Sequence, residues 1–104
     1  MAEYHSDFSL LRGSPLGDDP ALIEELHSAL ADSVGRQVDL LARARCDGNW
    51  HIAAARLAGL AASFGVDQLA ALASEAESAA PGDPVIIAKL RAYLAELRAA
   101  LAQT

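Results

Sequence analysis

The chain has 104 residues, of which 53% are hydrophobic, and its formal net charge is −6. These values fit one globular domain with one core. The acidic balance argues against nucleic acid or an anionic membrane surface as the main partner, and no apolar run approaches the ~20 residues of a membrane span. Alanine and leucine dominate over aromatic residues, which favours helices over strands.

The first eighteen residues are the least regular part of the chain. They lack the basic-then-apolar pattern of a secretory signal peptide. The single cysteine, Cys46, excludes an internal disulfide and suits a reducing compartment, so we expect a cytoplasmic protein. Phe8, Leu10 and Leu11 predict a short helix or turn that lays apolar side chains on the main body, before a loop rich in glycine and proline.

Four amphipathic helices are predicted after this segment, at 20–46, 50–64, 67–79 and 84–102. Asp19 and Asp83 each precede a proline, which is the signature of a capped helix start. In the first helix, apolar residues recur at steps of three and four and predict the buried face: Leu22, Leu26, Leu30, Val34, Val38 and Leu41. Asp47-Gly48 predicts the end of this helix.

The second predicted helix has two different sides. The apolar side is expected to be buried and carries Trp50, Ala53, Leu57, Leu60, Ala61 and Phe64. The other side carries a histidine and small residues: His51, Ala55, Ala58, Gly59 and Ala62. A surface helix usually places long polar side chains on its outer side, so this bare side is where we expect function. Asp47 or Asn49 is the predicted cap, and Gly65 the predicted C-terminal residue.

The last two helices complete a bundle. Asp67 is the predicted cap of the third helix, whose buried face is Val66, Leu69, Leu72, Ala73 and Ala76. Pro81-Gly82 predicts a turn. In the fourth helix the predicted seam is Ile87, Leu90, Leu94, Leu97 and Leu101. Because short loops force neighbouring helices to run antiparallel, residues 1–104 are predicted to form one all-α domain, an antiparallel up-down-up-down four-helix bundle.

No catalytic or cofactor chemistry stands out in the sequence. Glu24 precedes His27 by three residues, which is one of the two Glu-x-x-His pairs that a di-metal bundle needs, and there is no second pair. Cys46 is interpreted as a half-buried thiol at a helix end. A glycine-rich phosphate loop, a nucleophile elbow and a CxxC motif are all missing. We therefore predict no enzyme activity, no metal and no cofactor.

The run from Ala54 to Gly65, AARLAGLAASFG, resembles the motif of histidine-containing phosphotransfer (HPt) domains. That motif is roughly A-H-x-L-K-G-x-A-x-x-[apolar]-G, on the second helix of an antiparallel bundle. The residues that match in register are Leu57, Gly59, Ala61, Phe64 and Gly65. The resemblance extends over essentially the whole chain, since Leu69, Leu72 and Glu77 also suit the family.

The same register places Ala55 where the family carries its phosphoacceptor histidine, and Ala58 where a lysine often holds the phosphoryl group. The methyl group of an alanine can neither accept a phosphoryl group nor donate a hydrogen bond to one. The resemblance therefore implies a monomeric protein of a bacterial two-component phosphorelay that binds a receiver domain or a histidine kinase without relaying phosphate. The expected partner-binding face is His51, Ala55, Arg56, Ala58, Gly59 and Ala62.

Two alternatives stay open. His51 lies one turn before Ala55 on the same side of the helix, about 6 Å along the axis. Its imidazole is a candidate acceptor, which would make this an active phosphotransfer protein. The other alternative is a structural bundle with no signalling role, in which the small residues reflect helix propensity or form a self-association surface.

Overall fold

Residues 20–102 are described by the computed structural model, and they form four α-helices. We number them α1 (Pro20–Arg43), α2 (Asp47–Phe64), α3 (Asp67–Ser78) and α4 (Pro84–Ala102). This range contains no strand, and none of its helices is both long and apolar enough to cross a membrane. The predictions made for residues 1–18, and for Asp19 as a cap, lie outside the described residues.

The four helices enclose one core. Each helix packs against the next along the chain, and α1 also packs against α4. The largest fully buried side chains come from all four helices and from the α2–α3 junction: Leu30, Val34, Leu41, Trp50, Leu57, Val66, Leu69, Ile86, Leu90 and Leu97. The all-helical class with four helices, predicted from composition and periodicity, is confirmed within residues 20–102.

The junction between α1 and α2 differs from the prediction. α1 ends at Arg43, and Asp47 and Gly48 begin α2 instead of ending α1. The N-cap residue of α2 is Cys46, whose side chain makes no capping hydrogen bond, so the predicted caps Asp47 and Asn49 are wrong. Cys46 is exposed rather than half-buried. Asp47 suits the first helical turn because a carboxylate is stabilised near the positive end of the helix dipole.

The later helix boundaries lie closer to the prediction. α3 begins one residue after its N-cap Val66, so Asp67 is its first residue rather than its cap, and it ends at Ser78 rather than at residue 79. α4 has the predicted bounds. Its start is capped as predicted, because the Asp83 Oδ1 accepts a hydrogen bond of 2.8 Å from the backbone N–H of Val85.

The two turns that flank α3 depend on glycines with positive φ. Gly65 ends α2 with φ 67° and ψ 35°, and the backbone N–H of Val66 bonds to the Ala61 carbonyl at 3.0 Å. This bond closes a Schellman motif. In the turn before α4, Gly82 has φ 86° and the N–H of Asp83 bonds to the carbonyl of Ala80 at 3.0 Å. The predicted helix end at Gly65 and the predicted turn at residues 81–82 are both confirmed.

The buried faces follow the predicted stripes only in part, because several predicted core residues are half-buried: Leu26, Leu60, Phe64, Leu72 and Leu101. Leu22, at the start of the predicted α1 stripe, is 45% exposed. In α4 the fully enclosed seam includes Ile86 and Tyr93, while Ile87 and Leu94 are half-buried. α4 contacts both α1 and α3, so residues beside the predicted seam are buried as well.

Trp50 joins the first turn of α2 to the last turn of α3. Its side chain is fully buried, and its Nε1 donates a hydrogen bond of 2.7 Å to the carbonyl of Ala76. That carbonyl lies too close to the end of α3 to have a normal helical partner and otherwise accepts only a 3.2 Å bond from Ala79. A buried tryptophan removes about 150–250 Å² from water, which at ~25 cal/mol per Å² corresponds to roughly 4–6 kcal/mol.

We expect Trp50→Phe to lower the free energy of unfolding by about 2–3 kcal/mol, because it leaves the Ala76 carbonyl without this donor and removes ring volume from the core. Urea denaturation followed by circular dichroism measures the change. Ile52→Val, at a half-exposed position on the same helix, serves as the control and should change stability by less than about 0.5 kcal/mol. Equal losses for both variants would contradict the assigned role of Trp50.

Two glycines near the end of α2 should respond to alanine in opposite directions. Gly59→Ala should stabilise the protein by about 0.5–1 kcal/mol, because the position is helical and an added Cβ would have no heavy atom within 4 Å. Gly65→Ala should destabilise it by about 1 kcal/mol or more, because φ 67° is strained for any residue with a Cβ. Thermal and urea unfolding of both variants measure the change in the free energy of unfolding. A change of the same sign in both variants would contradict the end of α2 at Gly65.

Candidate functional site

The bare side of α2 faces outward. Ala55, Gly59 and Ala62 are exposed, and Ala58 is half-buried against the core. We call these four residues the small-residue strip. An added Cβ on Gly59 would meet no heavy atom within 4 Å, so the helix backbone there is open to an approaching partner. The spacing of the strip residues by three and four along α2 places them on one side of the helix.

Burial of the opposite side fixes this orientation of α2. Trp50, Leu57 and Ala61 are each at most 2% exposed. Ala54 is also fully buried, although the sequence pattern did not place it on the buried face. The buried side of α2 is wider than one stripe because the helix packs against both α1 and α3. Ala54 and Ala55 are therefore adjacent in sequence and opposite in environment.

The polar residues beside the strip are accessible. His51 lies in the second turn of α2, one turn before Ala55, and is exposed. Arg56 follows Ala55 in sequence and is also exposed; its side chain points about 100° round the helix from Ala55. The structure thus places an imidazole and a guanidinium near the strip. Neither residue occupies the position that the HPt motif gives to its acceptor.

The other half-motif of the sequence is the pair Glu24 and His27 of α1, whose two side chains differ in burial. His27 is 7% exposed, and its Nε2 has no hydrogen-bond partner, whereas Glu24 is exposed. Both border an open groove between α1 and α4 that Arg98 also lines. Within residues 20–102 no three His, Cys, Asp or Glu side chains are grouped so that they could hold a metal ion.

A second row of exposed alanines lies on α4 and was missed in the sequence. Ala88, Ala92, Ala95 and Ala99 are exposed and recur at steps of four and three. Their spacing could have revealed them, but alanine is expected throughout a helical chain as a good helix former. Exposed alanine is therefore not unique to α2. Arginines are adjacent in sequence to both rows, and what distinguishes the small-residue strip is its glycine and the histidine one turn before it.

Comparisons with known proteins give no role for this surface. Comparison with family models, with curated proteins and with solved structures finds no match to this chain. A function for the small-residue strip therefore has to be inferred from the exposure, packing and chemistry of its own residues.

Histidine substitutions at the buried Ala54 and at the exposed Ala55 should differ in their effect on the free energy of unfolding. Ala55→His should change the free energy of unfolding by less than about 1 kcal/mol, because the position is exposed and only helix propensity is lost. Ala54→His should lower it by about 3 kcal/mol or more, because an imidazole would be forced into a filled core without a partner. Chemical denaturation measures both. Similar losses in the free energy of unfolding for both variants would contradict a rotation of α2 that buries Ala54 and exposes Ala55.

Proposed function

We propose that this chain is an HPt-like docking protein of a bacterial two-component phosphorelay, acting in the cytoplasm as a monomer. It binds a receiver domain or a histidine kinase through α2 and does not relay phosphate. The observation that carries the proposal is the small-residue strip, which begins at Ala55 and is exposed except at the half-buried Ala58. Small side chains let a partner's loops approach the helix backbone closely, and Gly59, which has no Cβ, allows the closest approach.

The side chains of Ala55 and Ala58 in the strip support binding without transfer. Transfer from an aspartyl phosphate needs a nucleophile that attacks phosphorus, and nearby donors that neutralise the charge on the phosphoryl oxygens. Ala55 and Ala58 offer only methyl groups at the two positions where the HPt motif has histidine and lysine. Such a protein would occupy a partner's surface and act as a competitor, a scaffold or a sequestering factor.

An antiparallel up-down-up-down arrangement is part of this proposal. Two contacts support it. Trp50, in the first turn of α2, bonds to the carbonyl of Ala76 in the last turn of α3. The Nζ of Lys89, in the second turn of α4, lies 2.9 Å from the Oε2 of Glu75, in the last turn of α3. Each contact brings the start of one helix beside the end of another, as antiparallel neighbours require.

A second candidate function is phosphotransfer through His51. It is favoured by one observation, the exposure of His51 one turn before Ala55. Against it, the residues around His51 include Ile52 and Asn49 rather than a lysine. A self-associating bundle is the remaining alternative, and the alanine row on α4 gives it a second possible surface. Light scattering over a concentration series would show such association.

The proposal predicts binding to a receiver domain without labelling. Phosphorylated receiver domains from the same organism are mixed with the protein, and both complex formation and transfer of the label are followed. The unmodified protein should form a complex and remain unlabelled, because the strip has no nucleophile. Ala55→His should acquire acid-labile label from the same receivers. Efficient labelling of the unmodified protein, lost in His51→Ala, would establish the second candidate instead.

Matched variants test whether the strip is the binding surface. Gly59→Arg places a long side chain in the middle of the strip and should weaken the complex by at least about tenfold. Ala92→Arg adds the same side chain to the exposed alanine row of α4 and should leave binding unchanged. Binding that survives Gly59→Arg, with the fold intact by circular dichroism, would contradict docking on α2.

A further inference from the structure

A groove runs beside the small-residue strip, between α1 and α2. Its volume is about 440 Å³, and residues of both helices line it, among them Gln37, Leu40, Arg43, Ile52, Ala53 and Arg56. The lining extends over seven residues of α1 and eight residues of α2, which at 1.5 Å per residue is about 10–12 Å. That length matches about two turns of an incoming helix. We call this feature the α1–α2 groove.

The walls of the groove expose apolar side chains. Leu40 is 42% exposed and Ile52 is 50% exposed. They are two of the four large hydrophobic residues that stand out as exposed within residues 20–102; the others, Leu22 and Val85, do not line this groove. Paired apolar residues on the facing sides of two helices form a surface that packing against a third helix would bury.

The rim of the groove is basic although the chain is acidic. The residues that line the groove include two arginines and no acidic residue, so they carry a formal charge of +2 within a chain of net charge −6. Arg43 and Arg56 line the groove itself. Arg43 pairs with Asp39 at 2.9 Å, but both side chains are more than half exposed, and such a surface pair is worth little. Arg43 therefore remains available to an acidic partner.

The surrounding structure favours a helix as the occupant. An extended peptide binds most readily by adding a strand to the edge of a sheet, and residues 20–102 contain no sheet. A helix binds instead by laying an apolar stripe into a groove between two others, with its polar flanks over the rim. On a basic rim those flanks should be acidic.

We propose that the α1–α2 groove binds an amphipathic helix whose apolar stripe contacts Leu40 and Ile52 and whose acidic flanks pair with Arg43 and Arg56. The inference depends on the groove alone and holds whether or not the partner is a receiver domain or a kinase. Nucleic acid is disfavoured, because the walls are apolar and the arginines are few beside the eight acidic charges in excess elsewhere in the chain.

Synthetic peptides test the groove directly. The probe is a fluorescent peptide of about two heptads, with leucine in a single i, i+4, i+7 stripe and glutamate on both flanks; its matched control has lysine in place of every glutamate. Fluorescence anisotropy at low salt should show binding of the glutamate peptide and binding at least about tenfold weaker for the lysine peptide. Equal binding of both peptides, or none of either, would overturn the proposal.

Charge-matched variants locate the site. Arg56→Glu should weaken binding of the glutamate peptide by about tenfold, whereas Arg91→Glu, an equal change at an exposed position of α4, should alter it less than about twofold. Ile52→Ser should weaken it about fivefold, and Val85→Ser, at another exposed apolar residue, should not. All four positions are exposed, and circular dichroism checks that each variant is folded.

A competing ligand class is examined in the same assay. A labelled single-stranded oligonucleotide of about 12 nucleotides takes the place of the peptide. We expect no binding, because two groove arginines cannot follow a phosphate backbone in a chain this acidic. Oligonucleotide binding that is lost in Arg56→Glu would overturn the proposal. So would peptide binding that responds equally to Arg56→Glu and Arg91→Glu, because the effect would then come from net charge.

Discussion

The hydrogen bond between Trp50 and the carbonyl of Ala76 is the contact on which the arrangement of this bundle depends. The indole is fully buried, so its N–H needs a partner inside the protein. The carbonyl lies at the end of α3, where the normal i+4 donor is missing and the backbone supplies only the 3.2 Å bond from the N–H of Ala79. Each group satisfies the other, and the rotation of α2 about its axis is thereby fixed.

That rotation places both candidate surfaces. With Trp50 and Leu57 inside, Ala55 and Gly59 face outward, and Ile52 and Arg56 turn toward α1. The small-residue strip and the α1–α2 groove are therefore neighbouring parts of one helix, with different chemistry. The strip offers a low backbone surface, and the groove offers apolar walls and positive charge. A partner that approached α2 from outside would meet the strip first and the groove at its side.

Much of the helical structure was predictable from the residues. Pro20 and Pro84 mark the starts of α1 and α4, Gly65 marks the end of α2, and the apolar period marks which sides are buried. The start of α2 was missed because Asp47-Gly48 is a typical helix break, yet both residues are tolerated in a first turn. The buried seam of α4 was only partly predicted. Apolar residues recur at helical spacing both from Ile86 and from Ile87, and this spacing alone does not show which of the two sets is buried.

The sequence by itself determined that the chain is helical, and that Ala55, Ala58, Gly59 and Ala62 share a side of one helix, because both follow from local propensity and from a period of 3.6 residues. Only the tertiary structure decided that Ala54 is buried and that Leu40 and Ile52 stay exposed. It also brought Arg43 of α1 and Arg56 of α2 to one groove. These outcomes depend on which helix sides meet, and contacts such as that of Trp50 with a carbonyl 26 residues away leave no periodic signal along the chain.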